Sequence, residues 1–180
     1  MRWTARKHQF DFPGRTLVMG IVNVTPDSFS DGGQCFNYSS AIDHAQKLAK
    51  EGADILDIGG ESTRPGADAI SAEEEIRRVI PVIKELAKNT ELIISADTQK
   101  PIVAKEAINA GASIINDIAA SSNSSEMWNI ISETKAGYIC MHMKGTPQTM
   151  QQKPHYKDVC NEVINFFKDR IKLLLENGVP

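Results

Sequence analysis

Gly52-Ala53-Asp54-Ile55-Leu56-Asp57 is echoed by Gly111-Ala112-Ser113-Ile114-Ile115-Asn116, and Lys135-Ala136-Gly137-Tyr138-Ile139 repeats the idea. In each stretch a helix stops near a glycine and the chain passes at once into a short β-branched run. That is the helix-to-strand connection of a repeating β/α unit. Working outward from it gives five candidate strands: Leu17–Val24, Ile55–Gly59, Leu92–Ala96, Ser113–Asp117 and Tyr138–Met141. Their apolar runs are nearly continuous. Strands with one wet face would alternate, so these are read as parallel strands covered on both faces.

The intervening stretches carry helix punctuation. Ser40 to Asp43 resembles a capping box, opening a helix that stops at Gly52. Ser71 with Glu74 opens the next, where Ile76, Val79, Ile80, Ile83 and Leu86 form an i, i+3, i+4, i+7 stripe. Pro81 inside that stripe predicts a kink. Pro101 falls in the first turn of a third helix, where its missing N–H costs nothing. Glu176-Asn177-Gly178-Val179-Pro180 is one more helix stop, after which a strand is expected. Five units fall short of the eight of a closed β/α barrel, usually about 250 residues. The expectation is an α/β fold, the first five units of a (β/α)8 TIM barrel, forming one incomplete domain over residues 1–180. Residues 16–180 supply the units. Residues 1–15, with Trp3, Phe10, Phe12 and a turn at Pro13-Gly14, are expected to plug the barrel's N-terminal end as a small hairpin. Spacing alone leaves an open sheet as the alternative.

Composition narrows the class of function. With 41% hydrophobic and 24% charged residues, 180 residues suffice for one sizeable core. A net charge of -3 without a Lys/Arg run disfavours nucleic acid and anionic membranes as partners. No apolar run approaches the roughly 18–20 residues of a membrane span, and Met1–Phe10 lacks the apolar core of a secretory signal. Cys35, Cys140 and Cys160 form no ligand-like spacing, which fits a reducing cytoplasm.

Chemistry in a parallel β/α fold lies at the carboxyl ends of the strands. There the sequence places Asn23; Glu61, Ser62, Thr63 and Arg64; Asp97 and Thr98; Asn116 and Asp117; and His142 and Lys144. Any one of these could be an ordinary loop residue, but together they mark one rim. Asp97 and Asn116 side by side suit a heterocycle bearing an amino group and ring nitrogens, because a carboxylate accepts and a carboxamide both donates and accepts. Asp97 could instead simply cap the helix at Pro101. Two long polar loops, Thr25–Gly33 and Gly59–Ala69, exceed a plain connection and read as substrate loops, with Arg64 suited to an anion. His142, flanked by methionines, is read as a rim residue rather than a metal ligand.

Met19-Gly20-Ile21-Val22-Asn23-Val24-Thr25-Pro26-Asp27-Ser28-Phe29-Ser30-Asp31-Gly32-Gly33 and Asp57-Ile58-Gly59-Gly60-Glu61-Ser62-Thr63-Arg64-Pro65-Gly66-Ala67 resemble the two signatures of dihydropteroate synthases. Ser95-Ala96-Asp97-Thr98, Ile115-Asn116-Asp117-Ile118 and Met141-His142-Met143-Lys144-Gly145-Thr146-Pro147 are similar to further motifs of that family, in the same order. The resemblance implies a (β/α)8 barrel, usually a cytoplasmic homodimer when full length. It implies condensation of a dihydropterin methyl diphosphate with p-aminobenzoate to give dihydropteroate and diphosphate. Asn23 matches the residue that contacts Mg²⁺ and the diphosphate. Thr63, Asp97 and Asn116 match pterin contacts. Phe29, Asp31, Ser62, Arg64 and Pro65 match the loops that close over p-aminobenzoate, where sulfonamides compete. Asp97 would stabilise positive charge spreading into the pterin as diphosphate leaves. The family's carboxylate on the sixth barrel strand, lysine on the seventh and arginine–histidine pair after the eighth have no counterpart in this sequence. A truncated, non-catalytic pterin-binding module and a pterin-binding methyltransferase domain are the alternatives.

Overall fold

The computed structural model describes residues 2–25, 34–62, 69–120, 125–145, 149–150 and 153–179, with residues 34–37 described by their backbone alone. The chain begins with an antiparallel hairpin, β1 (Arg2–Ala5) and β2 (His8–Asp11). Its turn lies at Arg6-Lys7, where Arg6 takes φ 55°, and not at the expected Pro13-Gly14, which forms a bend after the second strand. The reason is register. Trp3 pairs with Phe10 and their rings stack with centroids 5.0 Å apart, which leaves only two residues for the turn.

Five parallel strands follow in one sheet: β3 (Met19–Asn23), β4 (Ile55–Gly59), β5 (Ile93–Asp97), β6 (Ile114–Asp117) and β7 (Gly137–Cys140). Their spatial order is their order in sequence. A doubly wound sheet must reverse its strand order at a switch point. With no reversal, right-handed crossovers put every helix on one side. That is an arc of a β/α barrel, and it decides against the open doubly wound sheet.

The two faces of the sheet differ accordingly. Val22, Leu56, Ile58, Ile94, Ala96 and Ile115 face outward and share one core with helix residues such as Ala45, Val79, Ile83, Val103 and Ile131. Truncating one such buried Ile to Ala costs about 2–5 kcal/mol. The inward face has a separate apolar floor at the strands' amino ends, where Met19, Ile55, Ile93 and Ile114 meet Ala5, Trp3 and Phe10 of the hairpin. A Cβ built on Gly137 would stand 2.7 Å from the Ala5 Cβ, so the hairpin seats directly on β7. The hairpin therefore lies against the amino ends of the strands.

The helices are α1 (Gln34–Lys50), α2 (Ala72–Asn89), α3 (Pro101–Ala110), α4 (Ser125–Thr134) and α5 (Val159–Glu176). Ser71 caps α2, its hydroxyl accepting from Glu74 N–H at 3.2 Å, while the Glu74 carboxylate is taken by Arg77 and Arg78. α2 runs through Pro81. α1 starts six residues before Ser40 and takes in Cys35, so the Ser40–Asp43 box opens nothing. A serine in a helix interior costs little, and the buried Ala41–Ala45 stripe outweighs the local cap signal. The echoed connections share one hydrogen bond: Ala53 N–H to Leu48 C=O, and Ala112 N–H to Ala107 C=O, across Gly52 and Gly111 at φ 102° and 125°. Gly178 repeats it through Val179 N–H to Leu174 C=O. At the third echo Lys135, not a glycine, takes the left-handed position with φ 56°. Among the described residues no helix is long and apolar enough to cross a membrane.

Candidate active site

Strand register fixes which polar side chains meet. Asn23 pairs with Gly59, Gly59 with Asp97, and Asp97 with Asn116, forming one row at the carboxyl ends. One layer deeper, Ile21, Asp57, Ser95 and Ile114 form the row beneath. Residues two apart on a strand share a face, so both rows point inward with the apolar floor below them. The barrel arc thus carries polar side chains on top of a greasy base.

Three expected residues come together here. A Cβ built on Gly59 would lie 3.4 Å from Asp97 Oδ2 and 3.5 Å from Asn23 Oδ1, so Asn23 and Asp97 flank an open floor. Asn116 stands beside Asp97 and sends its Nδ2 to Asp57 Oδ2 at 2.9 Å. Asp97 does not cap α3. That helix has Lys100 at its N-cap without a side-chain bond, and Thr98 Oγ1 accepts from Lys100 N–H at 3.2 Å. Ser62 is half-buried where the second loop begins. Phe29, Asp31, Thr63, Arg64 and Pro65 lie outside the described residues.

Electrostatics single out Asp97. Burial, together with the negative charges of Asp57, Glu75, Asp117 and Glu61, pushes its carboxyl up to about 7. Asp57 is also shifted upward by burial, with the Ser95 hydroxyl and Asn116 amide opposing. A site that holds two carboxyl groups this reluctantly is built to receive hydrogen-bond donors or positive charge.

Other rim candidates turn elsewhere. Asp117 points to the outer face, where Ala119 N–H and the Tyr138 hydroxyl donate to it at 2.9 and 2.7 Å. His142 packs edge-on against Phe166 with centroids 4.8 Å apart, within an aromatic group that includes Tyr156 and Phe167. Lys144 bonds the His155 carbonyl at 2.6 Å and Glu162 at 2.9 Å. Glu61 pairs with Lys100 at 2.7 Å, and Lys100 also reaches Glu75. Burial raises the Cys140 thiol to about 11, leaving it unreactive.

Asn23 offers a single neutral, hard oxygen. That suits Mg²⁺, which prefers oxygen ligands and keeps several from water and phosphates. No cluster of three or more His, Cys, Asp or Glu side chains that could hold a metal occurs among the described residues.

Sequential parallel strands, an apolar floor and an inward row of polar side chains at the strands' carboxyl ends define a β/α-barrel protein with a candidate ligand site on that rim. Residues 19–180 match the family described as pterin binding enzyme, and the chain belongs to that family. It is 48% identical over 162 residues to dihydropteroate synthase of Escherichia coli strain K12, covering 90% of this chain and 57% of that protein. The structure of Yersinia pestis dihydropteroate synthase with a sulfonamide drug complex superposes with TM-score 0.89 at 42% identity, covering 100% of this chain and 65% of that one. That of the Xanthomonas albilineans enzyme with 4-aminobenzoic acid gives 0.88 at 45% identity, covering 99% and 63%. The chain thus spans about three fifths of the length of these dihydropteroate synthases.

Proposed function

We propose that this protein is a dihydropteroate synthase, joining (7,8-dihydropterin-6-yl)methyl diphosphate to 4-aminobenzoate. The observation that carries the reading is the inward pair Asp97 and Asn116 above buried Asp57, on a chain of the pterin-binding family. The likeness to proteins named dihydropteroate synthase, one of them holding 4-aminobenzoic acid, supports the choice of substrates.

In the reaction the methylene C–O bond breaks, diphosphate departs with the electron pair, and the arylamine nitrogen forms the new C–N bond and sheds one proton. Asp97 accepts from the pterin N–H edge and offsets positive charge developing in the ring. Asn116 fixes the same edge by hydrogen bonding. Asn23 would hold Mg²⁺, which when bound neutralises charge on the leaving diphosphate. Thr63 is assigned to the pterin. Phe29, Asp31, Ser62, Arg64 and Pro65 are assigned to the loops around 4-aminobenzoate, where a sulfonamide would compete. No strong base is needed, because an arylamine is already nucleophilic. A cytoplasmic homodimer is the setting that goes with this reading.

Turnover decides it. The intact protein, given both substrates and Mg²⁺, is expected to release dihydropteroate and diphosphate in equal amounts. Tight pterin binding without product would leave a non-catalytic binding module and overturn the synthase assignment.

A further inference from the structure

Asp57 sits in the middle of β4, 4% exposed, in a strand whose every other residue is glycine or apolar. A carboxyl group there carries a desolvation cost that only hydrogen bonds or a partner charge can offset. Its Oδ2 accepts from Asn116 Nδ2 at 2.9 Å, and the neighbouring Ser95 hydroxyl is the other polar group that favours its charged form. The Asn116 donor lies two strands away and one layer higher, so this bond spans β5 beneath Asp97.

A carboxamide is ambiguous by itself, because its oxygen and nitrogen can exchange places by rotation about the last bond. A carboxylate is not, since it only accepts. With Asp57 below, the Asn116 nitrogen must turn toward it. The Asn116 oxygen and one remaining N–H are then left for a ligand, beside the Asp97 carboxyl. Two neighbouring acceptors suit the donor edge of an aminated heterocycle and reject one that presents carbonyl oxygens there.

We propose that Asp57 is a positioning residue that acts through Asn116, setting which face of its amide meets the pterin. This rests on the pterin reading above. It differs from a packing role, because a residue that merely supports β4 would weaken binding independently of Asn116.

The test is a double-mutant cycle on the intact protein at about pH 9, where Asp97 is ionised with or without Asp57, with 6-hydroxymethyl-7,8-dihydropterin as the titrated ligand and thermal unfolding recorded alongside. Asp57→Ala is expected to weaken binding roughly tenfold or more, in line with an orienting hydrogen bond to a ligand contact. Added to Asn116→Ala, it should cost no further affinity, since the amide it orients is gone. Asp57→Asn keeps the shape but can turn either its oxygen or its N–H toward Asn116, so it should lose part of that orientation and weaken binding severalfold, with no further loss when Asn116→Ala is added; it takes the place of Asp57→Ala in the cycle if that variant does not fold. Losses that multiply in the double variant overturn the inference alone. A wild-type protein that binds no pterin takes down the functional reading, and this inference with it.

Discussion

At Asp97 the fold keeps a carboxyl group half-neutral near physiological pH, through burial first and then the negative charges of Asp57, Glu75, Asp117 and Glu61. Only the ionised form accepts from two ligand N–H groups. Binding of a pterin should therefore strengthen as pH rises through about 7, by roughly tenfold between about pH 6 and about pH 8, and Asp97→Asn should flatten that dependence. Stability runs the other way. The unfolded chain releases this proton near the ordinary carboxylate value and the folded chain only near 7. Between those limits the folded state holds more protons, so its stability falls as pH rises. Asp97→Asn should accordingly raise the melting temperature at pH 8 and change it little at pH 4. A melting temperature lowered equally at both would show that the site stores no such strain. Asp97 and Asn116 were legible in the sequence because each ends an apolar run at the rim. Asp57 was passed over as part of a signature. Its signal was a charge inside a strand read as buried on both faces, a placement a parallel strand tolerates only where its inward side is a polar lumen.

Lys100, at the N-terminus of α3, ties three elements together. Its ammonium meets Glu61 after β4 at 2.7 Å and Glu75 of α2, whose side chain is 1% exposed. Burial opposes the charge on Lys100, and the hydrogen bonds to the two carboxylates outweigh it, so its pKa lies above the usual value. Such a cluster adds little net stability compared with apolar packing, yet losing one member is severe. Lys100→Met should cost about 3–5 kcal/mol in urea denaturation by leaving two carboxylates buried without a cation. Adding Glu75→Gln should recover a measurable part of it. If the double variant is no more stable than the single one, the loss comes from packing rather than charge. The sequence offered no route to this cluster. Glu61 and Lys100 are 39 residues apart, and only the parallel pairing of β4 with β5 brings them together. Strands, by contrast, were readable to within two residues at each end, because burial of the outward face and of the floor at their amino ends leaves a nearly continuous apolar run. α1 was misread because a local capping pattern at Ser40 competes weakly with the packing of a whole helix face.

Across the molecule, protection is uneven. β4, β5 and β6 are flanked by strands on both sides, whereas β3 and β7 each pair on one side only among the described residues. α5 continues the pattern at the last unit. It carries the apolar content of a helix built to pack, yet none of its residues is buried, and Ile164, Ile171 and Leu175 are 48%, 54% and 66% exposed. Fully burying one Ile or Leu is worth about 1.5–3 kcal/mol, so a few together can begin to offset the cost of bringing two molecules together. The side of β3 away from β4 adds a second adhesive element, a strand edge beside exposed Val18 and Ile21 that is covered in part where His44 Nε2 meets the Ile21 carbonyl at 3.3 Å. The 1–180 chain produced by itself is therefore expected to sediment above its monomer mass at tens of micromolar. Charge on α5 separates the two sources. Ile171→Lys with Leu175→Lys should restore the monomer if the helix face drives association, and should leave it unchanged if the β3 edge does. A wild-type chain that stays monomeric at those concentrations would show that neither surface is adhesive enough to matter.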